Sequence, residues 1–204
     1  MNEKLFNAII NNKIKEIKSL LENDINIYTN KDKILNTSTA NGHYEIVKLL
    51  IEHGVNIHAK NDEALKISTL NGDLKIMKLL LDHGANIHAN NDEALRISIL
   101  KKYYEAVKLL LEHGANIHAL NDFALRWSAS KGHYEIVKLL LDYNANVHVN
   151  NDYALRKSAE NGHYEVVKLL LDYILKKKNS LVIQYNYIVK YSEVLKLLNK
   201  KGGL

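Results

Sequence analysis

The segment NGHYEIVKLL at 41–50 returns every 30 residues as NGDLKIMKLL, KKYYEAVKLL, KGHYEIVKLL and NGHYEVVKLL, and a worn copy, NNKIKEIKSLL at 11–21, keeps the same register. A fixed period of this length specifies an array of like structural pieces, because one such piece cannot bury its apolar face alone and must stack on its neighbours. A second motif follows the same spacing: NDEAL at 61–65 and 91–95, NDFAL at 121–125 and NDYAL at 151–155. It aligns Asp32, Asp62, Asp92, Asp122 and Asp152 in one column and Ser38, Ser68, Ser98, Ser128 and Ser158 in another.

Each copy reads as two short helices and a connector. Asp62 is expected to cap the first helix by accepting from backbone N–H groups of its first turn. Gly72 ends that helix; Ile76, Met77, Leu79, Leu80 and Leu81 mark the second; Gly84 stands just past its end, where a left-handed residue is needed. The substitutes in the two glycine columns are Asn12, Asp24 and Asn144, types that tolerate positive φ, while Lys102 breaks the pattern and marks its copy as a weak spot. The columns Val47, Met77, Val107, Val137, Val167 and Leu50, Leu80, Leu110, Leu140, Leu170 form the expected core.

The 204 residues contain no proline, as long regular helices would favour, and no cysteine, so disulfides and thiolate chemistry are excluded. The first residues show no secretory signal and no stretch is apolar enough to span a membrane, which together point to the cytoplasm. Residues 174–204 hold seven lysines against one glutamate, leaving 21 basic and 22 acidic groups in residues 1–173. A near-neutral body argues against a nucleic-acid grip along a whole face; any attraction to polyanions or anionic surfaces is expected of the tail alone.

Segments such as Gly132-His133-Tyr134-Glu135-Ile136-Val137-Lys138-Leu139-Leu140-Leu141 and Gly114-Ala115-Asn116-Ile117-His118-Ala119 resemble the second helix and following loop of the ankyrin repeat family. The resemblance implies an all-α ankyrin-repeat solenoid of stacked helix-turn-helix units. The expected boundaries are an N-terminal capping repeat at 1–30, repeats at 31–60, 61–90, 91–120, 121–150 and 151–180, and a divergent C-terminal cap at 181–204. Where the family opens its first helix with Thr-Pro-Leu-His, this chain has Glu63-Ala64-Leu65-Lys66 and Phe123-Ala124-Leu125-Arg126, so Asp62 is expected to supply the missing bridge. The period is about three residues short of the family's, and the loss falls between Ala59 and Leu65, where the family projects a hairpin finger; blunted fingers follow. This short form is similar to ankyrin proteins of large DNA viruses, for which the compartment would be the host cytoplasm.

The family resemblance implies a non-enzymatic scaffold or adaptor that binds a protein, acting as a monomer, with no cofactor. No phosphate loop, nucleophile elbow or metal-binding His-Glu motif appears, and the serine column recurs in every copy as a catalytic residue would not. Ten histidines include a ladder at 58, 88, 118 and 148 and another at 53, 83 and 113, but members a whole repeat apart cannot share one metal ion. Docking residues are sought in columns that vary within the fixed framework. Positions 63, 93, 123 and 153 read Glu, Glu, Phe and Tyr; positions 67, 97, 127 and 157 read Ile, Ile, Trp and Lys. Leu120, Phe123, Trp127 and Tyr153 are therefore candidate partner-binding residues, Phe123 being the one expected to be exposed and Trp127 the one that could fill inter-repeat space. Leu100, Lys101 and Lys131, at the ends of first helices where ankyrin binders vary, complete the set.

Overall fold

The computed structural model of the chain describes residues 3–23, 31–176 and Lys196, and among these there is no strand. The helices are α1 (Glu3–Ile10), α2 (Ile14–Asn23), α3 (Lys31–Ala40), α4 (Tyr44–Glu52), α5 (Ala59–Asn71), α6 (Leu74–Asp82), α7 (Ala89–Lys101), α8 (Tyr104–Glu112), α9 (Ala119–Ser130), α10 (Tyr134–Asp142), α11 (Val149–Glu160) and α12 (Tyr164–Lys176). They belong to two units, Met1–Ala115 and Asn116–Leu204. In the first, the odd helices α1, α3, α5 and α7 pack in succession, and so do the even helices α2, α4, α6 and α8. In the second, α9 packs on α11 and α10 on α12. Each unit is thus an all-α stack of helix-turn-helix pairs. The cap expected at 181–204 lies outside the described residues apart from Lys196, as does Asp24.

Stacking is driven by the apolar columns. Val47, Met77, Val107, Val137 and Val167 are completely buried, and Leu50, Leu80, Leu110, Leu140 and Leu170 nearly so. Each contributes roughly 1.5–3 kcal/mol of burial. All five column serines are buried, and Ser38, Ser68, Ser98 and Ser158 donate to a carbonyl three or four residues back in their own helix. The column therefore supplies a small side chain where helices approach closely, and four of its five hydroxyls are satisfied within their own helix, Ser128 being the exception.

Helix ends follow one pattern. After α5 the Asp73 N–H bonds to the Ser68 carbonyl and the Gly72 N–H to that of Thr69, the pair of bonds that closes a helix around a left-handed residue. The same pair recurs where glycine is replaced: Asn12 has φ 52°, Asn144 63° and Lys102 59°. Lysine has a Cβ that this region penalises, so Lys102→Gly is expected to raise stability by about 1 kcal/mol, read as a higher urea midpoint at unchanged m-value.

The connectors differ from expectation in one respect. Asp62 does not cap its own helix. Lys60, Asn61 and Asp62 all adopt positive φ (52°, 56° and 56°), and the same left-handed turn is formed by Asn90-Asn91-Asp92, Leu120-Asn121-Asp122 and Asn150-Asn151-Asp152. Such a turn faces the Asp side chain away from the first-turn N–H groups and toward the next copy. Asp62 Oδ1 accepts from the Asn86 N–H at 2.7 Å and Asp122 Oδ1 from the Asn146 N–H at 2.9 Å, bonds across 24 residues. The work expected of Asp62 as a cap is thus replaced by a bond between copies. The ladder histidines hold the same carboxylates: His58, His88, His118 and His148 donate through Nδ1 to Asp62, Asp92, Asp122 and Asp152 at 2.7–3.0 Å. The second ladder closes helices, with His53, His83 and His113 donating to carbonyls four residues back at 2.8 Å. His113 also reaches Asp82 at 3.2 Å; that ring, aided by Lys78, holds the Asp82 carboxyl below its ordinary value, so the link between α6 and α8 weakens as acid protonates it.

Consecutive left-handed residues cost about 1–2 kcal/mol each for ordinary side chains and less for Asn and Asp. A guanidinium offsets this by gathering the turn's carbonyls. Arg126 donates from Nε to the Asn121 carbonyl at 2.8 Å and from Nη2 to that of Leu120 at 3.0 Å, and Arg156 does the same to Asn151 and Asn150. Arg96 donates to the Asn90 carbonyl at 2.9 Å. The equivalent Lys66 has no fork and pairs instead with Glu63 and Glu93, at 3.9 and 3.6 Å. This turn occupies the place of the hairpin finger.

Candidate protein-docking site

In the second unit, one side of α9 and α11 carries a grouping of aromatic and basic side chains. Phe123 and Trp127 stand one helical turn apart on α9, so their rings meet, with centroids 5.9 Å apart and planes inclined by 19°. The Lys131 ammonium lies 5.0 Å from the centre of the Trp127 ring. On α11 Tyr153 lies under the Arg126 guanidinium at 5.5 Å, which ties the two helices together. Lys157, half-buried on α11, forms an ion pair with Glu160. These six side chains, with Ser130 and Asn161, line a groove of about 320 Å³. Its end is fixed by two bonds to the Ser130 carbonyl, from Asn161 Nδ2 at 2.7 Å and from His163 Nε2 at 3.0 Å.

Five of the candidate docking residues therefore sit in this unit, and four of them line the groove. Phe123 is half-buried rather than exposed, because Trp127 covers part of it; Trp127 and Tyr153 are half-buried as well, and Lys131 is exposed. Trp127 does face a groove, so it is not sealed within the stack. Leu120 does not line the groove. It is 47% exposed with φ 51°, a conformation that a bulky side chain rarely takes. Leu100, 50% exposed, and Lys101 end α7 in the first unit. The Asn members of the helix-end column prove structural: Asn71 donates to the Ala40 carbonyl at 3.1 Å as Asn161 does to Ser130. Arg126 was not singled out by its sequence position. An arginine on the outer face of an amphipathic helix reads as solvated, and only the turn it clasps gives it a role.

The same positions in the first unit are chemically different. Glu63 and Glu93 stand where Phe123 and Tyr153 do, and both pair with Lys66. In α9 and α11 the Asp122 and Asp152 carboxylates are buried, which leaves Glu160 as the exposed acid against Arg126, Lys131, Arg156 and Lys157. Nothing in the groove aligns a nucleophile with a base, and among the described residues no three His, Asp or Glu side chains come together as a metal ion would need. No helix among them is long and apolar enough to cross a membrane.

Stacked helix pairs joined by tight turns, with chemistry confined to an open groove, define a helical repeat protein. The chain belongs to the ankyrin repeat family: the family model for ankyrin repeats (3 copies) matches residues 3–61, 59–121 and 95–182. Among solved structures it is similar to an ankyrin repeat domain from Acinetobacter baumannii AYE, at 27% identity over 83% of this chain and 96% of that one, with a TM-score of 0.73. It is also similar in fold to the ankyrin repeat domain of Bcl-3, a member of the IkappaB protein family, at 22% identity over 84% of this chain and 86% of that one, with a TM-score of 0.71. No curated protein matches the sequence. Ankyrin repeats are in general protein-binding modules with no catalytic role of their own.

Proposed function

We propose that this chain is a non-enzymatic adaptor or scaffold that docks a partner protein on the groove between α9 and α11. The observation that carries the reading is the break in the repeat: Phe123, Trp127 and Tyr153 replace Glu63, Ile97 and Glu93-type residues at positions the framework leaves free, and they replace them together around one groove. A half-buried aromatic cluster rimmed by polar groups is the composition of an interface hot spot. The likeness of the short repeat to viral ankyrin proteins supports a host protein as the partner. Leu120, Leu100 and Lys101 extend the proposed docking set beyond the groove.

The test is affinity capture from a host-cell lysate with the wild-type chain and Phe123→Glu side by side, quantified by mass spectrometry. Phe123→Glu restores the residue type of the sister copies and faces Arg126 and Lys131, so the fold should hold. Loss of a hot-spot aromatic costs about 2 kcal/mol or more, which is roughly a 30-fold weaker complex. Proteins captured equally by both chains would end the proposal.

A further inference from the structure

Building on that docking surface, we infer that the partner segment seated between α9 and α11 is an acidic peptide with an apolar side chain set among its carboxylates. The charge count on these two helices comes first. Three cations, Arg126, Lys131 and Lys157, line the groove and no carboxylate does, although Lys157 is paired with Glu160 beside it. This positive lining surrounds a concavity in which charge is screened less than on open surface. In the first unit the lysine in the place of Arg126 instead pairs with Glu63 and Glu93, which stand where Phe123 and Tyr153 do.

The donors that line the groove decide the kind of anion. The Nε and Nη2 edge of each of the two arginines Arg126 and Arg156 donates to carbonyls of the left-handed turns, Arg126 to Asn121 and Leu120 and Arg156 to Asn151 and Asn150. That removes the side-on bidentate face of the guanidinium, and the groove otherwise offers point-charge attraction from Arg126, from the Lys131 ammonium and from that of Lys157, which it shares with Glu160. Such attraction suits carboxylates distributed along a chain. The apolar element of the ligand follows from Phe123 and Trp127, whose stacked rings line the groove next to Lys131.

Aromatic rings among cations are also the composition of a single-strand nucleic-acid surface, but base stacking requires an open ring face. Phe123 and Lys131 lie against the Trp127 ring and Arg126 against one face of Tyr153, so part of the ring surface that stacked bases would need is already in use. A groove of about 320 Å³ is at the lower end of ligand-site volumes and accepts a side chain or two with their backbone.

The experiment is selection of a random-peptide phage library on the immobilised full chain, followed by affinity measurement of the enriched peptides by fluorescence anisotropy. Net-negative peptides containing an aromatic or aliphatic residue should be enriched. Their affinity should fall about tenfold or more for the doubly charge-reversed chain carrying Lys131→Glu and Lys157→Glu, recover with Lys131→Arg and Lys157→Arg, and weaken with added salt. Neither lysine is buried, and unchanged far-UV circular dichroism and melting temperature verify the fold. Groove-dependent peptides that are neutral or basic, lost with Phe123→Glu yet bound equally by the charge-reversed chain, would overturn the acidic assignment while leaving the docking surface intact. Absence of any peptide sensitive to Phe123→Glu would overturn both. Binding of a fluorescein-labelled oligothymidylate that is lost in the charge-reversed chain would overturn the peptide assignment in favour of nucleic acid.

Discussion

Asp122→Ala should lower the stability of the chain by about 3 kcal/mol, measured by urea denaturation followed at 222 nm. Two separate losses add to that figure. The carboxylate is 4% exposed and accepts the Asn146 N–H at 2.9 Å and the His118 ring at 2.8 Å, so its removal strands a backbone donor of the following connector. A donor left without its partner in partly buried surroundings costs about 1–3 kcal/mol. The second loss is conformational: residue 122 has φ 51°, which aspartate tolerates and alanine does not, at about 1 kcal/mol. Asp122→Asn separates the two accounts. It keeps both the acceptor oxygen and the tolerance for positive φ, and should cost less than about 1 kcal/mol. If alanine and asparagine proved equally mild, the bond from Asn146 would not be what joins these copies. Asp62, with its 2.7 Å bond from the Asn86 N–H, offers the same experiment in the first unit.

The parts of this architecture that repeat were legible in the sequence, because repetition averages out the ambiguity of any one position. Val137 alone is an apolar residue; Val47, Met77, Val107, Val137 and Val167 at one spacing are a buried stripe. The left-handed helix ends were legible for a similar reason, since glycine alternates with Asn12 and Asn144 in two columns and positive φ is what these residues share. The turn that joins the copies was not legible at Asp62 alone. An aspartate ahead of an apolar helix has two physical uses, capping the helix or tolerating a left-handed backbone, and the asparagines before it at 61, 91, 121 and 151 were the signal for the second. Within the groove, column variation identified Phe123, Trp127 and Tyr153, while their contacts depended on side-chain direction: Trp127 lies one turn beyond Phe123, and Arg126 reaches across to Tyr153. Partner identity leaves no equivalent trace, since complementarity to another molecule imposes no period on this one.

Gly132→Ala should cost about 2–3 kcal/mol, whereas Gly114→Ala should cost only about 1 kcal/mol, although both glycines end a helix with positive φ, 70° and 88°. The common part is the left-handed backbone. The difference is what a Cβ would meet. At Gly114 there is nothing within 4 Å, whereas at Gly132 the Cβ would come within 2.6–2.9 Å of the His163 ring, inside van der Waals contact. That ring cannot simply swing away, because its Nε2 donates to the Ser130 carbonyl at 3.0 Å and the clash includes its Cγ, next to the backbone. Accommodation must break this bond or part α9 from the turn that precedes α12, adding about 1–2 kcal/mol. His163→Ala in the Gly132→Ala background provides the check. Removing the ring should relieve the clash, so the double variant should be less destabilised than the sum of the two single changes by about 1 kcal/mol. Additive costs would mean that the glycine is there for its backbone alone. The same measurement bears on the docking groove, because Ser130 and Asn161 line it and their carbonyl bond stands beside that of His163; a Gly132→Ala chain that stays folded should therefore bind its partner less well than its loss of stability accounts for.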